Sequence, residues 1–262
     1  QQFDDPQVDA AIEQAVAALL KSRRPVLIVG GGVIRADASK SVTEFCESYP
    51  LPIVSTLMGL GSIAPNQPYY LGLTGMHGHR AANLTVADAD LIIAVGSRFS
   101  DRVTSDRSCY TKGKTIIHLD IDAAEIGKNV ETAVMVIGEL QNSLNNLSQR
   151  LRHSALPDHS AWLAQVSQWQ DQHQTQTDTT VLNPVWIMQH LSTAVAALPV
   201  TWISDVGQHQ MWAAQHLSIG SPGTWLTSGG FGTMGFGLPA ALGAQLSRPE
   251  QRAILIAGDG GF

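Results

Sequence analysis

Residues 227–241 gather five glycines around one methionine, in Thr227-Ser-Gly-Gly-Phe-Gly-Thr-Met-Gly-Phe-Gly-Leu-Pro-Ala-Ala241. Glycine lets a backbone approach a ligand closely, and the Ala/Leu helix pattern that follows offers unpaired N–H groups to an anion. Shortly after comes an apolar run, Ala253 to Ala257, and then Gly258-Asp259-Gly260. A carboxylate between glycines at the end of a buried strand suits a hard divalent cation such as Mg2+ bridging phosphates, which makes Asp259 a candidate metal ligand. Both stretches also admit a plainer reading, as a packing turn and a strand-ending turn, because glycine and aspartate are ordinary turn residues.

The first half of the chain holds a second set of candidates. Gly30-Gly31-Gly32 follows the apolar run Pro25 to Val29 and would let backbone meet a pyrophosphate, or would serve as a structural turn. Thr56-Leu57-Met58-Gly59, Gly75-Met76-His77-Gly78, Gly96 to Arg102 and Asp120-Ile121-Asp122 all lie at or near the ends of predicted strands. In a parallel sheet those ends share one edge, where ligands bind. Asp120 and Asp122 there could accept ribose or ribityl hydroxyls, or simply cap a turn. Arg98 and Arg102 carry planar forks suited to phosphate or carboxylate, or form a solvated surface pair. Met234 taken alone also fits a core filler.

The elements that must position these residues follow from hydrophobic spacing. Val8, Ala11, Ile12, Ala15, Val16, Leu19 and Leu20 recur at helical spacing. Continuous apolar runs at 25–29, 52–56, 90–97, 115–122 and 133–138 read as buried strands, with helix patterns at 39–48 and 140–151 between and after them. Strands alternating with helices predict an α/β fold whose central domain is a mostly parallel, doubly wound sheet. Residues 1–152 form that first domain. From 153 to 182 the composition turns to Gln, His, Asp, Ser and Thr, which reads as a linker carrying one surface helix. Residues 183–262 then begin a second α/β domain, with strands at 201–207, 225–227 and from Ala253.

Composition narrows the function classes. A net charge of -6 argues against non-specific nucleic-acid binding. No apolar run is long enough for a bilayer span, so no membrane partner is expected. Cys46 and Cys109 make neither a metal spacing nor a disulfide framework, which points to a reducing, cytoplasmic setting.

Several runs taken together are more specific than any one. Leu71-Gly-Leu-Thr-Gly-Met-His-Gly78, Arg98-Phe-Ser-Asp-Arg102, His118-Leu-Asp-Ile-Asp122, Asp205-Val-Gly-Gln-His-Gln-Met-Trp-Ala-Ala214 and Thr227 to Ala241 stand in the order found in acetohydroxyacid (acetolactate) synthases. From about Arg24 to Phe262 the chain resembles that family of thiamine-diphosphate enzymes. The resemblance implies decarboxylating condensation of two 2-oxo acids, pyruvate with pyruvate or with 2-oxobutyrate, in branched-chain amino-acid biosynthesis. It implies thiamine diphosphate along Val206, Gly207, Gln208, His209, Gly232, Met234, Gly235, Gly258, Asp259 and Gly260, with Met234 beneath the bent cofactor and Mg2+ on Asp259. It implies FAD, without net redox chemistry, along Gly31, Gly32, Thr56, Leu57, Met76, His77, Gly96, Arg98, Asp120 and Ile121. Arg102 matches the arginine that meets the carboxylate of the second 2-oxo acid, and Met76 lines the same pocket.

By the same resemblance a homodimer or homotetramer is expected, with a regulatory subunit as a further possible partner. The family's activating glutamate and the second half of its metal motif are not among residues 1–262, so these residues alone are expected to be inactive. Ser100, Glu139 and Gly261 depart from the family's usual residues, and Glu139 bears on a flavin contact. Tyr110-Thr-Lys-Gly-Lys114 is similar instead to glyoxylate carboligase, a sister enzyme. A non-catalytic nucleotide-binding α/β module is the alternative from outside the class.

Overall fold

A computed structural model describes residues 6–173 and 180–262. The chain divides into two compact units, 1–173 and 174–262.

The first unit is built on six parallel strands: β1 (Pro25–Val29), β2 (Ile53–Ser55), β3 (Tyr70–Leu73), β4 (Leu91–Val95), β5 (Thr115–Asp120) and β6 (Val134–Ile137). Their order across the sheet is β3-β2-β1-β4-β5-β6. All five residues of β1 and of β4 are buried, as strands covered on both faces must be. Alternation then sorts the side chains. Leu27, Val29, Ile93, Val95, Ile117 and Leu119 face the helices Pro6–Lys21, Ser39–Ser48 and Leu140–Leu151, sharing a core with Ile12, Phe45 and Leu144. Val26, Ile28, Ile92, Ala94 and Ile116 face the other way, against Ala82 and Val86 of helix Arg80–Asp88 and against Trp162 and Val166.

Those last two belong to helix Ser160–Gln172, inside the polar stretch that follows Leu151. The helix is no free spacer. Trp162 Nε1 donates to the Pro25 carbonyl at 3.0 Å, and the His159 ring Nε2 lies 3.2 Å from the Ser22 carbonyl. Trp162 and Trp169 meet edge to face at 5.7 Å. Residues 174–179 of the predicted linker lie outside the described residues.

Several elements differ from the sequence reading. β3 lies just before the Gly75 segment but outside the apolar runs that hydrophobic spacing marks, since Gly72 interrupts a four-residue run. Gly31 and Gly32 open a short helix, Gly31–Arg35, instead of forming only a turn. Helices Arg80–Asp88 and Gln208–His216 also go unmarked, their polar and alanine content giving a weak periodic signal.

The second unit holds three parallel strands, β7 (Val200–Ser204), β8 (Trp225–Thr227) and β9 (Arg252–Ile256), in the order β8-β7-β9. Helix Pro184–Ala194 starts on an Asn183 cap whose side chain accepts from the Trp186 N–H. Helices Gln208–His216 and Gly237–Ser247 follow β7 and β8. Among the described residues no helix is long and apolar enough to cross a membrane.

Candidate functional site

Because both sheets are parallel, every predicted site residue falls at the C-terminal edge of its own sheet. In the first unit the sequence of loops across that edge is Gly75 to His77 after β3, Thr56 and Leu57 after β2, and Gly31 and Gly32 after β1. Gly96 and Arg98 then follow β4, and Asp120 and Ile121 end β5. The strand order reverses between β1 and β4, which is where open α/β sheets leave a crevice.

Glycines make that point. The Gly32 N–H donates to the Gly96 carbonyl at 2.9 Å. A Cβ on Gly30 would lie 2.1 Å from the Gly96 oxygen, and one on Gly96 would lie 2.7 Å from the Gly32 Cα. Gly96 also has φ +58, a left-handed conformation that side chains disfavour. The two loops therefore touch through bare backbone, and a side chain on either would hold them apart.

The loop after β3 is fixed from two sides. Asn83, on helix Arg80–Asp88, accepts from the Gly75 N–H at 2.9 Å and donates to the Gly75 carbonyl at 2.9 Å. Thr74 also donates its hydroxyl to Asn83 Oδ1 at 3.1 Å. From the other side, the Met76 N–H donates to the Arg102 carbonyl at 2.8 Å, and the Arg102 guanidinium reaches Met76 Sδ at 3.5 Å. Met76 and Arg102, predicted to share a pocket, are thus in contact, both exposed. Arg98 is exposed too, with its carbonyl held by the Asn129 side chain at 2.8 Å.

Asp120 and Asp122 show turn chemistry: Asp120 Oδ1 accepts from the Asp122 N–H at 3.0 Å, and Asp122 Oδ1 from the Ala124 N–H at 2.9 Å. The turn leaves Ile121 67% exposed beside the edge, an apolar surface for a planar ring.

In the second unit three loops converge. After β7 run Val206, Gly207, Gln208 and His209; before helix Gly237–Ser247 run Gly232, Met234 and Gly235; after β9 run Gly258, Asp259 and Gly260. His209 packs on two of them, since a Cβ on Gly207 or Gly258 would lie 2.8 and 3.1 Å from its ring. A Cβ on Gly260 would lie 2.8 Å from the Met234 methyl, and one on Gly232 would sit 3.7 Å from Val206. Met234 is 58% exposed. His209 Nε2 is buried without a hydrogen-bond partner, a demand that a bound polar ligand would satisfy.

Asp205, at the end of β7, lies among these loops with no exposed surface. Burial pushes its carboxyl up, but backbone N–H donors of Gly237, Val206 and Gly235, with His209 nearby, outweigh that and hold it below its ordinary value. Asp259 is exposed at the start of a short turn of helix. Among the described residues no group of three or more His, Cys, Asp or Glu side chains gathers to hold a metal. One carboxylate fits Mg2+ only in the mode where phosphate oxygens and further groups complete the shell.

Asn83 and Asn129 carry no site signal in the sequence, and Asp205 stands there as part of a motif without a site role. Asp205 at a strand end had a signal, the same one that marked Asp120.

These geometries have relatives. Residues 12–147 match the family described as thiamine pyrophosphate enzyme, central domain, and residues 205–262 match its C-terminal TPP binding domain. The chain belongs to the thiamine pyrophosphate enzymes. The central-domain match spans the six-stranded sheet, and the TPP-binding match begins at Asp205 and takes in all three converging loops. Among thiamine pyrophosphate enzymes, the chain is 43% identical to the acetolactate synthase isozyme 2 large subunit of Escherichia coli (strain K12), over 97% of this chain and 45% of that protein. It is 42% identical to the acetolactate synthase large subunit of Parasynechococcus marenigrum (strain WH8102), over 97% of this chain and 41% of that protein. A probable acetolactate synthase large subunit of Methanocaldococcus jannaschii is 38% identical, over 96% of this chain and 44% of that protein. The chain thus spans less than half the length of these relatives.

Proposed function

We propose that the protein to which these residues belong is an acetolactate synthase large subunit, condensing pyruvate with pyruvate or 2-oxobutyrate with loss of CO2. The observation that carries this reading is that identity near 40% to proteins of that name runs through nearly all of the chain, both strand-edge sites included.

Thiamine diphosphate, when bound, supplies the electron sink for decarboxylation. This chain's residues would hold and shield it. Val206, Gly207, Gln208 and His209 would lie along the diphosphate, His209 Nε2 meeting its unfilled hydrogen bond there. Gly232, Met234 and Gly235 would support the cofactor, with the Met234 methyl against Gly260. Asp259 would give Mg2+ one carboxylate, Gly258 and Gly260 leaving it room.

In the first unit FAD would lie across the switch point, over Gly31, Gly32 and Gly96. Thr56, Leu57, Met76 and His77 would flank it on one side, and Arg98, Asp120 and Ile121 on the other. Arg102, in contact with Met76, would take the carboxylate of the second 2-oxo acid through its planar fork. A homodimer or homotetramer is part of the reading, as is a regulatory partner, since the relatives are named large subunits.

Full-length protein supplied with pyruvate, thiamine diphosphate, Mg2+ and FAD tests this directly. Acetolactate is the expected product. Tartronate semialdehyde from glyoxylate, with no acetolactate from pyruvate, would replace the reading with a carboligase.

A further inference from the structure

Three loops of the second unit meet at one side chain that belongs to none of the residues assigned above to a cofactor. The Asp205 carboxylate accepts from the Val206 N–H at 2.6 Å, from the Gly237 N–H at 2.8 Å and from the Gly235 N–H at 3.0 Å. Its third neighbour is the loop after β9: a Cβ on Gly261 would lie 2.8 Å from the Asp205 carboxyl carbon, and one on Gly237 would lie 3.0 Å from Oδ2. Only bare backbone fits on those two sides.

A buried carboxylate is costly unless it is hydrogen-bonded. Here it is met by three backbone donors, one of them at the start of helix Gly237–Ser247, where negative charge is favoured. Charge-assisted bonds of this kind are stronger than neutral ones. The bonds also commit three N–H groups. Val206 and Gly235 therefore have their backbone donors turned inward to Asp205, so they can shape a cofactor site without donating to a phosphate. Gly235 sits at φ +83, and the bond from its N–H spans thirty residues of chain to reach Asp205.

We propose that Asp205 is a positioning residue: its carboxylate ties the loop after β7 to the segment that presents Met234, and seats both against the Gly258–Gly261 turn. It touches no cofactor itself. The role rests on the reading of these loops as the thiamine diphosphate site.

The test uses full-length protein carrying Asp205→Asn, Gly235→Ala, or both. Asn keeps the volume but turns an NH2 toward at least one backbone N–H. Ala at Gly235 has open space around its Cβ but strains the φ that aims the N–H at Asp205. Each single variant should weaken thiamine diphosphate binding by about ten- to a hundredfold, the worth of a charged hydrogen bond, while flavin content stays at the wild-type level. Amide exchange should quicken in peptides covering 233–238 and stay unchanged in the first unit. The double variant should be no worse than the weaker-binding single variant, because both cut the same tie. Wild-type affinity and exchange in Asp205→Asn would overturn the role, as would fully additive losses in the double variant. A wild-type protein that binds no thiamine diphosphate would sink the site reading instead, and the exchange data would still decide the tie.

Discussion

Replacing Asn83 with alanine should show how much of the first unit's ligand edge depends on one carboxamide. Asn83 is the side-chain partner of both the Gly75 N–H and the Gly75 carbonyl, each at 2.9 Å, and Gly75 is buried. Alanine would strand a buried donor and acceptor in a loop at φ +106, where no Cβ would fit because Arg102 O lies 2.5 Å from its position. Each stranded group costs about 1–3 kcal/mol, and partial relaxation toward water puts the sum at about 2–4 kcal/mol. Urea unfolding of wild type and variant reads this as a lowered midpoint with unchanged slope. The same loop carries Met76 onto Arg102, so the full-length variant should also show a raised KM for the second 2-oxo acid. A change below about 0.5 kcal/mol, the size of an ordinary surface substitution, would refute the clamp.

Two further outcomes follow from the same geometry. Gly96→Ala combines a left-handed φ of +58 with a Cβ 2.7 Å from Gly32 backbone, so it should cost at least about 2 kcal/mol and abolish flavin retention, read by unfolding and by visible absorbance. His118 is fully buried; burial lowers its pKa from the ordinary 6.5, partly offset by Asp120, by the Ser97 backbone and by Glu125. Below pH 6.5 the unfolded chain therefore takes a proton the folded state refuses, and stability falls as pH drops toward the folded pKa, by up to about 1.4 kcal/mol per pH unit. His118→Leu should flatten that fall in unfolding curves recorded from pH 7 to 5, and an unchanged slope would contradict the assignment.

Much of the fold was legible in the sequence because buried parallel strands leave long apolar runs: β1, β4 and β5 show as such, and their trailing glycines and aspartates mark the C-terminal edge of the sheet. Strand order was not legible. The contact between Gly30–Gly32 and Gly96 arises only because β1 and β4 are neighbours in the sheet although 66 residues apart in the chain (Pro25 pairs with Leu91), which no local pattern encodes. Helix Ser160–Gln172 was read as surface from its polar composition, although Trp162, Val166 and Trp169 stand at i, i+4 and i+7 and mark an apolar face. In the sequence Asp205 is marked only as the first residue of the run to Ala214. Its partners at Gly235, Gly237 and Gly261 come from loops that meet in space, so its role needed the fold.

On the function proposed above, the two parallel-sheet edges of this chain hold two different cofactors. Spectroscopy of purified full-length protein, combined with a thiamine diphosphate titration, tests both edges in a single preparation. The expected protein is yellow, releases FAD on denaturation and binds thiamine diphosphate saturably in the presence of Mg2+. Colourless protein that takes up neither cofactor would contradict it.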